Sequence, residues 1–205
     1  MTTPRDLLIV ATDRAASGPV ERGDLSLALA GAELIDLLCA GTVGLDGGDR
    51  ILPGDRPAPA DRLLEEAASS LARQEPYETA ADFLWRRGRD LSELYLAALE
   101  AEGQLTRRQR RRWVVFRTSS MELADSPARH RAANRLASGE PVLAALTAAV
   151  GLLDERTDDS PRVADPAVST VLATVDEALW ELSDERQRRA RRRDDAAVNN
   201  VRRGY

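Results

Sequence analysis

The fold is decided by one stretch, LSLALAGAELIDLLCAG, which occupies residues 25–41. Its apolar residues recur three and four positions apart, the spacing that places side chains on one face of an α-helix. These residues are Leu27, Ala30, Leu34, Leu37 and Leu38. Gly41 follows them and is well placed to end the helix, because glycine adopts the left-handed backbone found at many helix ends. The stretch therefore predicts a long helix with a buried apolar face.

Helical spacing also occurs on both sides of this stretch. Pro4 is suited to the first turn of an N-terminal helix, since proline is tolerated there. Asp165-Pro166 predicts the start of a final helix that runs into an arginine-rich tail. Between them, the apolar spacing predicts further helical regions over 60–74, 78–102 with a bend near Gly88, 127–138 and 140–155.

Two short β-hairpins are predicted between the helices. The first is TVGLDGGDRILPGD (42–55), in which Asp46-Gly47-Gly48 is a turn signal between two apolar runs. The second is QLTRRQRRRWVVFRTSSM (104–121). We therefore expect a mainly α fold: a single helical domain with two short β-hairpins over residues 1–185, followed by an arginine-rich C-terminal helix end or tail over residues 186–205.

The chain is acidic overall, but its positive charge is clustered. The formal net charge is -5, and all 29 basic residues are arginine. This net charge argues against nucleic acid as the partner. Arginine binds phosphate through two parallel hydrogen bonds, so the clusters predict local anion binding. The absence of lysine, together with abundant alanine and aspartate, is typical of a high-GC bacterial genome.

No set of catalytic or metal-binding residues stands out. His130 is the single histidine and lies on a polar helix face, where we expect it to be solvated. The glycines of AGTVGLDGG (40–48) lack the spacing and the lysine of a phosphate-binding loop. Cys39 is the single cysteine, and its apolar surroundings predict a buried, inert thiol. We therefore expect no enzymatic activity, no metal site and no cofactor.

The sequence contains no segment that predicts export or membrane spanning. The N-terminal MTTPRDLLIVATDR (1–14) has a short apolar run with no cleavage site after it, unlike a signal peptide. No stretch approaches 18 apolar residues. A lone cysteine fits a reducing compartment. We expect a cytoplasmic protein whose membrane contact is peripheral, at the inner face of the membrane.

The sharpest local feature is RRQRRRWVVFRTSS (107–120), in which five of the six residues from Arg107 to Arg112 are arginine. The apolar residues that follow them are Trp113, Val114, Val115 and Phe116. On a hairpin tip, the arginines would contact anionic headgroups while the tryptophan lies at the membrane interface, the depth that tryptophan prefers. The alternative is a solvated turn followed by an ordinary buried strand.

Two further arginine clusters are candidates for phosphate contact. In LWRRGRDLSELY (84–95), Arg86, Arg87 and Arg89 lie beside Trp85, and a helix start could add backbone N–H groups. The alternative is ion pairing with the nearby acids Asp82, Asp90 and Glu93. In RQRRARRRDD (186–195), the arginines would cover every face of a helix, so we expect a solvated helix end, a frayed tail or an electrostatic arm.

The order of these elements resembles the Golgi phosphoprotein 3 (GPP34) family, whose bacterial members are common in actinobacteria. The segments that carry the resemblance are LALAGAELIDLLCAGTVGLD (27–46), ADRLLEEA (60–67), LYLAALEAEGQLT (94–106) with the basic and apolar hairpin after it, and ATVDEALWEL (173–182). The resemblance implies a helical domain with β-hairpins. It also implies binding to phosphatidylinositol 4-phosphate, as in the eukaryotic members that retain glycosyltransferases on Golgi membranes.

The resemblance also implies positions for the lipid site. The family's apolar hairpin, which inserts into the membrane or mediates oligomerisation, corresponds to Arg108–Thr118. One family pocket arginine matches Arg89, and Arg86 and Arg87 are possible substitutes for others. The remaining pocket positions fall on Ser92, on Ala30 and near Glu21.

Together these features predict a non-enzymatic peripheral membrane protein that binds anionic phospholipid. The predicted phosphate contacts are Arg86, Arg87 and Arg89. The predicted membrane or oligomer hairpin comprises Arg108, Arg110, Arg111, Arg112, Trp113, Val114, Val115 and Phe116. The alternative is a protein-interaction or oligomerisation module in which the same hairpin pairs with another copy of the chain or with a partner protein, without lipid specificity.

Overall fold

The structure is a computed structural model, and it describes residues 2–16, 20–47, 49–109, 119–153 and 163–203. Within these ranges, the side chains of residues 16, 107–109, 119–122 and 196–203 are not described. All statements below concern the described residues.

The architecture is mainly α, as the sequence predicts. The helices are α1 (Thr3–Asp13), α2 (Arg22–Ala40), α3 (Arg62–Ser69), α4 (Ala80–Arg87), α5 (Leu91–Ala101), α6 (Pro127–Ala137), α7 (Pro141–Ala149) and α8 (Pro166–Arg203). A 3-10 turn, Arg14–Ala16, follows α1. The strands are β1 (Val43–Leu45), β2 (Ile51–Pro53), β3 (Leu105–Gln109) and β4 (Ser119–Leu123).

Helix α2 is the centre of the core, which confirms the prediction from residues 25–41. It packs against α1, α4, α5 and α8, and Leu29 and Leu34 are fully buried. Gly31 permits the close approach of α8, because a Cβ atom there would lie 2.3 Å from Cγ2 of Val175. The helix ends at Gly41, whose φ of 71° is in the left-handed region.

Local hydrogen bonds explain where several helices begin. The side chain of Asp61 accepts hydrogen bonds from the backbone of Leu63 and Leu64 at the start of α3. Thr79 accepts one from Asp82 at the start of α4, and Ser126 accepts one from Arg129 at the start of α6. Each bond satisfies a first-turn N–H group that has no partner within its own helix.

Both predicted hairpins form antiparallel pairs. In the first, Val43 pairs with Pro53 and Leu45 with Ile51. In the second, pairing runs from Leu105 and Leu123 to Gln109 and Ser119. Residues 110–118, which join β3 to β4, lie outside the described residues.

Three predicted helices are shorter or divided. The region 60–74 is helical only to Ser69. The region 78–102 is interrupted rather than bent, because Asp90 adopts a left-handed φ of 56° between α4 and α5. The region 140–155 is helical only to Ala149, and Gly151 then takes a φ of 74°. Gly151 thus follows the end of α7 with a positive φ, whereas Asp90 lies immediately before the first residue of α5.

Helix α8 has two different parts. Its first part buries Val168, Val171, Val175 and Ala178. From residue 187 to residue 195, every side chain is exposed. The arginine-rich segment after residue 186 is thus an exposed continuation of the helix.

The prediction for Cys39 is wrong, because its side chain is exposed rather than buried. Cys39 follows the buried Leu37 by two positions on α2. Two positions correspond to about 200° around an α-helix, which turns Cys39 away from the core.

Candidate functional site

The structure separates the three arginines at the end of α4. Arg86 is exposed and donates from Nε and Nη2 to the carboxylate of Glu78, at 2.6 and 2.7 Å. This hydrogen bonding raises the pKa of Arg86. Arg89 is exposed and makes no ion pair or hydrogen bond with the residues that the structure describes. Only Arg89 therefore presents an unpaired guanidinium.

Arg87 lies in the interior, with 9 % of its surface exposed. Its Nε and Nη2 atoms donate to the carboxylate of Glu33 at 2.8 and 3.1 Å, and its Nη1 donates to Glu66 at 3.0 Å. Nη2 also donates to the backbone oxygen of Leu63 at 3.1 Å. The guanidinium is turned away from solvent, so the expectation that all three arginines face a lipid phosphate is not met by this arrangement.

Glu33 is the centre of this buried cluster. It is fully buried on α2 and also accepts a hydrogen bond from the hydroxyl of Tyr95, at 2.9 Å. Burial raises the pKa of Glu33, and the hydrogen bonds from Arg87 and Tyr95 oppose that rise. Burial opposes the charged form of Arg87, but its hydrogen bonds to Glu33 and Glu66 outweigh this, and the pKa of Arg87 is raised. The cluster joins α2, α3, α4 and α5.

The arginines pair with acids other than those that local spacing indicates. Asp82 accepts from the hydroxyl of Thr79 at 2.8 Å. Glu93 pairs with Arg22 at 2.7 Å. Arg86 and Arg87 are therefore ion-paired, but with Glu78 and Glu33 rather than with the acids that the alternative named.

The remaining family pocket positions do not supply positive charge. Ser92 is buried, and its backbone N–H donates to the hydroxyl of Ser26 at 3.0 Å. Ala30 is fully buried. Glu21 is exposed at the start of α2 and makes no side-chain cap there.

Two further arginines, which were not predicted to contribute to this region, lie at the first turn of α2. Arg22 is largely exposed and pairs with Glu93, and Arg186 of α8 pairs with Asp24 at 2.7 Å. Gly23 leaves space for the side chain of Arg186, because a Cβ atom on Gly23 would lie 2.8 Å from Nη2 of Arg186. We call Arg22, Arg89, Arg186 and the first turn of α2 the α2 N-terminal surface.

Arg89 is included in this surface because Gly88, the residue before it, lies against α2. A Cβ atom on Gly88 would lie 3.2 Å from Leu27 and 3.5 Å from the backbone oxygen of Ser26. The link between α4 and α5 therefore lies against the first turns of α2. Helix N-termini carry a partial positive charge, which favours anions. The four acids nearby in the sequence outnumber the three arginines of this surface, so the surface has no net positive charge; these acids are Glu21, Asp24, Asp90 and Glu93.

The second hairpin is anchored in the core at one end. Leu105 is buried, Leu123 packs against the core, and the backbone of Ala124 donates to Gln104 at 2.9 Å. Arg108 lies on β3, opposite Ser120. The other predicted hairpin residues lie outside the described residues; they are Arg110, Arg111, Arg112, Trp113, Val114, Val115 and Phe116.

The exposed part of α8 carries its own ion pairs. Glu185 accepts from Arg188 and Arg189 at 3.0 and 2.7 Å, and these hydrogen bonds lower its pKa. Asp184 also pairs with Arg188. Arg191 and Arg193 are exposed and make no ion pair with described residues. Large exposed side chains also include Trp85 on α4 and Trp180 on α8.

The described residues contain no group of three or more potential metal ligands. His130 is exposed, as expected, with Nε2 3.0 Å from Asp125. Within the same part of the chain, no helix is both long and apolar enough to cross a membrane.

A model of the Golgi phosphoprotein 3 (GPP34) family matches residues 4–199. The chain belongs to the Golgi phosphoprotein 3 family. A comparison with curated proteins finds no match. The family match extends from α1 to near the end of α8, and it therefore includes the α2 N-terminal surface, the buried Glu33 cluster and the second hairpin.

Proposed function

We propose that this family member is a non-enzymatic peripheral membrane protein that binds anionic phospholipid through its second hairpin. One observation carries the proposal: the β3–β4 pair starts in the core and leads to a strongly basic segment that is followed directly by the apolar residues WVVF. From Gly103 to Met121 there are six arginines and no acid, although the whole chain has a net charge of -5. The protein would be cytoplasmic and would bind to the inner face of the membrane.

The length of the described hairpin supports this proposal. Pairing continues for four residues beyond Leu105, and each residue of a strand advances by about 3.4 Å, so the last pair is about 14 Å from the anchor. Each arginine near an anionic leaflet contributes about 1 kcal/mol. Several such contacts, with the sequence WVVF beside them, support reversible attachment rather than permanent anchoring.

The α2 N-terminal surface is the proposed place for contact with a headgroup. Arg89 would bind the phosphate directly, and Arg22 could exchange its exposed partner Glu93 for it, since exposed pairs contribute little. Arg186 would have to leave Asp24, which is partly buried. Arg86 would have to leave Glu78, and Arg87 stays in the core. Phosphatidylinositol 4-phosphate is the headgroup implied by the family resemblance. Because Ala30 and Ser92 are neutral and buried, we expect weak discrimination between anionic headgroups.

The test is co-sedimentation with vesicles at low and physiological salt. The vesicles contain phosphatidylcholine alone or with phosphatidylglycerol, phosphatidylinositol or phosphatidylinositol 4-phosphate. We expect binding to every anionic vesicle, weakened by salt because screening acts on exposed charges, and loss of binding when Arg110, Arg111, Arg112 and Trp113 are all replaced by alanine. Unchanged binding by that variant would contradict the hairpin proposal.

A second candidate function is self-association through the same hairpin. Strands β3 and β4 form a two-stranded sheet in which, among the described residues, each strand has one neighbour. Unpaired strand edges are templates for a further strand. Sedimentation velocity without lipid distinguishes the two functions: a concentration-dependent oligomer that disappears in Trp113→Ala/Phe116→Ala, together with no vesicle binding, would favour self-association.

A further inference from the structure

Helix α8 carries its negative and positive charges in two consecutive segments. Residues 176–185 contain five acids and no arginine, and residues 186–193 contain six arginines and no acid. We call these segments the acidic half and the arginine half of α8. A second copy of the helix that runs in the opposite direction would place an arginine half along each acidic half, so that opposite charges face each other.

Ion pairs within the helix join residues near the junction of the two halves, such as Glu185 and Arg189 at 2.7 Å. Farther from the junction, Glu177 and Glu181 are exposed and make no ion pair or hydrogen bond with described residues. The same is true of Arg191 in the arginine half. Arg191 follows Glu177 by 14 positions, which corresponds to about 21 Å along the helix axis. These two residues therefore cannot pair within one chain.

An exposed tryptophan lies on the outer face of the acidic half. Trp180 is 69 % exposed, the highest value among the large apolar side chains that the structure describes. It follows the buried Val175 by five positions, which is about 140° around the helix and turns its ring away from the core. Tryptophan contributes strongly to protein interfaces, and the face of its ring attracts guanidinium groups. Trp180 is therefore suited to contact with an arginine half.

The spacing of these residues defines one register for two antiparallel helices. Glu177, Asp184 and Arg191 recur every seven positions, the repeat that keeps side chains on the face toward a paired helix. A pair centred on Asp184 places Glu177 of each copy opposite Arg191 of the other, since both are seven positions from the centre. Trp180 and Arg188 are each four positions from the centre and also face each other. The two Asp184 carboxylates meet at the axis, where each already pairs with Arg188 of its own helix.

We propose that α8 pairs with α8 of a second copy of this chain, in antiparallel orientation about a two-fold axis near Asp184. A two-fold interface of this kind requires a surface that is complementary to itself, and the two halves of α8 provide one. Parallel pairing would instead align like charges, which is unfavourable. A contact between two single helices is small compared with the interface of a stable dimer, so the dimer is weak and forms at high protein concentration.

The experiment is sedimentation velocity of the full chain without lipid, over a series of protein concentrations at low and high salt. We expect a monomer–dimer equilibrium that shifts toward the monomer at high salt, because screening weakens exposed charge pairs. Trp180→Ala should weaken the dimer by about tenfold or more, since the ring is lost from both copies. Trp113→Ala/Phe116→Ala should leave it unchanged, which separates this dimer from self-association through the second hairpin.

This dimer does not depend on membrane binding. Vesicle titrations at protein concentrations well below the dissociation constant of the dimer measure the monomer. Failure of the vesicle experiment would therefore leave the α8 pairing unaffected, and a monomeric protein in the absence of lipid would leave the hairpin proposal unaffected.

Reversing single charges tests the antiparallel orientation. Glu177→Arg and Arg191→Glu should each weaken dimerisation by about tenfold or more, because both facing pairs of the dimer then carry like charges. An equimolar mixture of the two variants should dimerise, since the introduced arginine of one faces the introduced glutamate of the other. Glu65→Arg, at an exposed acid of α3, makes the same change of charge as Glu177→Arg and should dimerise normally.

Melting curves verify that each variant is folded, and dimerisation of the mixture shows the same for both charge reversals. Three results would overturn the proposal. The first is a protein that stays monomeric at every concentration. The second is a dimer that is lost in Trp113→Ala/Phe116→Ala but not in Trp180→Ala. The third is a mixture of the folded charge-reversed variants that stays monomeric.

Discussion

Arginines in two regions of this molecule have opposite surroundings. In the buried Glu33 cluster, Arg87 is bound by two carboxylates and a backbone oxygen. On the α2 N-terminal surface, Arg89 is exposed and makes no ion pair with a described residue, although it follows Arg87 by only two positions in the chain. The difference shows that a run of arginines need not act as one binding site. Arg87 is the last residue of α4, which packs against α2, whereas Arg89 lies in the link after α4. This placement decides which arginine stabilises the fold and which remains available to an anion.

The largest expected effect that tests this contrast between Arg87 and Arg89 is a change in the free energy of unfolding. Arg87→Met should lower the free energy of unfolding by about 3–5 kcal/mol, because Glu33 would keep a buried and poorly compensated charge. Arg89→Met, the matched control, should change it by less than about 0.5 kcal/mol. Urea denaturation measures both. The double variant Arg87→Met/Glu33→Met should be more stable than Arg87→Met alone, because the buried carboxylate is removed as well. Equal losses of stability in Arg87→Met and Arg89→Met would contradict the contrast between the two arginines.

A pH series would sharpen the assignment to Glu33. Burial raises the pKa of Glu33, and removing the opposing Arg87 should raise it further. A carboxyl with a higher pKa in the folded than in the unfolded state stabilises the fold when it is protonated, and that gain is lost as pH rises through the folded pKa. The deficit of Arg87→Met should therefore be larger at neutral pH than at about pH 5. A deficit that does not vary with pH would point to lost packing instead.

Tyr95→Phe should have a smaller effect on the same cluster. It removes one hydrogen bond to Glu33 but leaves both bonds from Arg87. We expect a loss of about 1.5–3 kcal/mol in the free energy of unfolding, the range for hydrogen bonds to charged groups. Tyr77→Phe is a suitable control, because Tyr77 lies outside the cluster. A loss as large as that of Arg87→Met would mean that the Arg87–Glu33 ion pair is not the main contribution of this cluster to the stability of the fold.

Arg89→Ala should have the smallest effect, and only on lipid binding. Loss of one arginine near an anionic leaflet is worth about 1 kcal/mol, or roughly a fivefold change in affinity. Vesicle titration and urea denaturation of the same preparation separate the two properties. An unfolding change without a change in vesicle affinity would place Arg89 with Arg87 as a structural residue.

Local patterns in the sequence predict the helices and hairpins but not the long-range pairs. The spacing in residues 25–41 predicts α2, and the glycine after it predicts its end. Arg87 and Glu33 are 54 positions apart, and Arg186 and Asp24 are 162 apart. Acids near Arg87 in sequence were therefore the only partners that spacing could suggest. The packing of α4 and α8 onto α2 decides the actual pairs.

The arginine runs at residues 86–89 and 186–193, in contrast, are visible in the sequence, but the exposure of their side chains depends on how α4 packs and on where α8 leaves the core.

The most direct test of membrane binding compares two triple variants with the same loss of charge. Arg110, Arg111 and Arg112 are replaced by alanine in one variant, and Arg191, Arg192 and Arg193 of α8 in the other. Vesicles containing phosphatidylglycerol are titrated at low salt. If the hairpin attaches the protein, the first variant should bind about 100-fold more weakly, from about 1 kcal/mol per arginine, and the second should stay close to the unmodified protein. Equal weakening of the two variants, or loss only in the α8 variant, would contradict attachment through the hairpin.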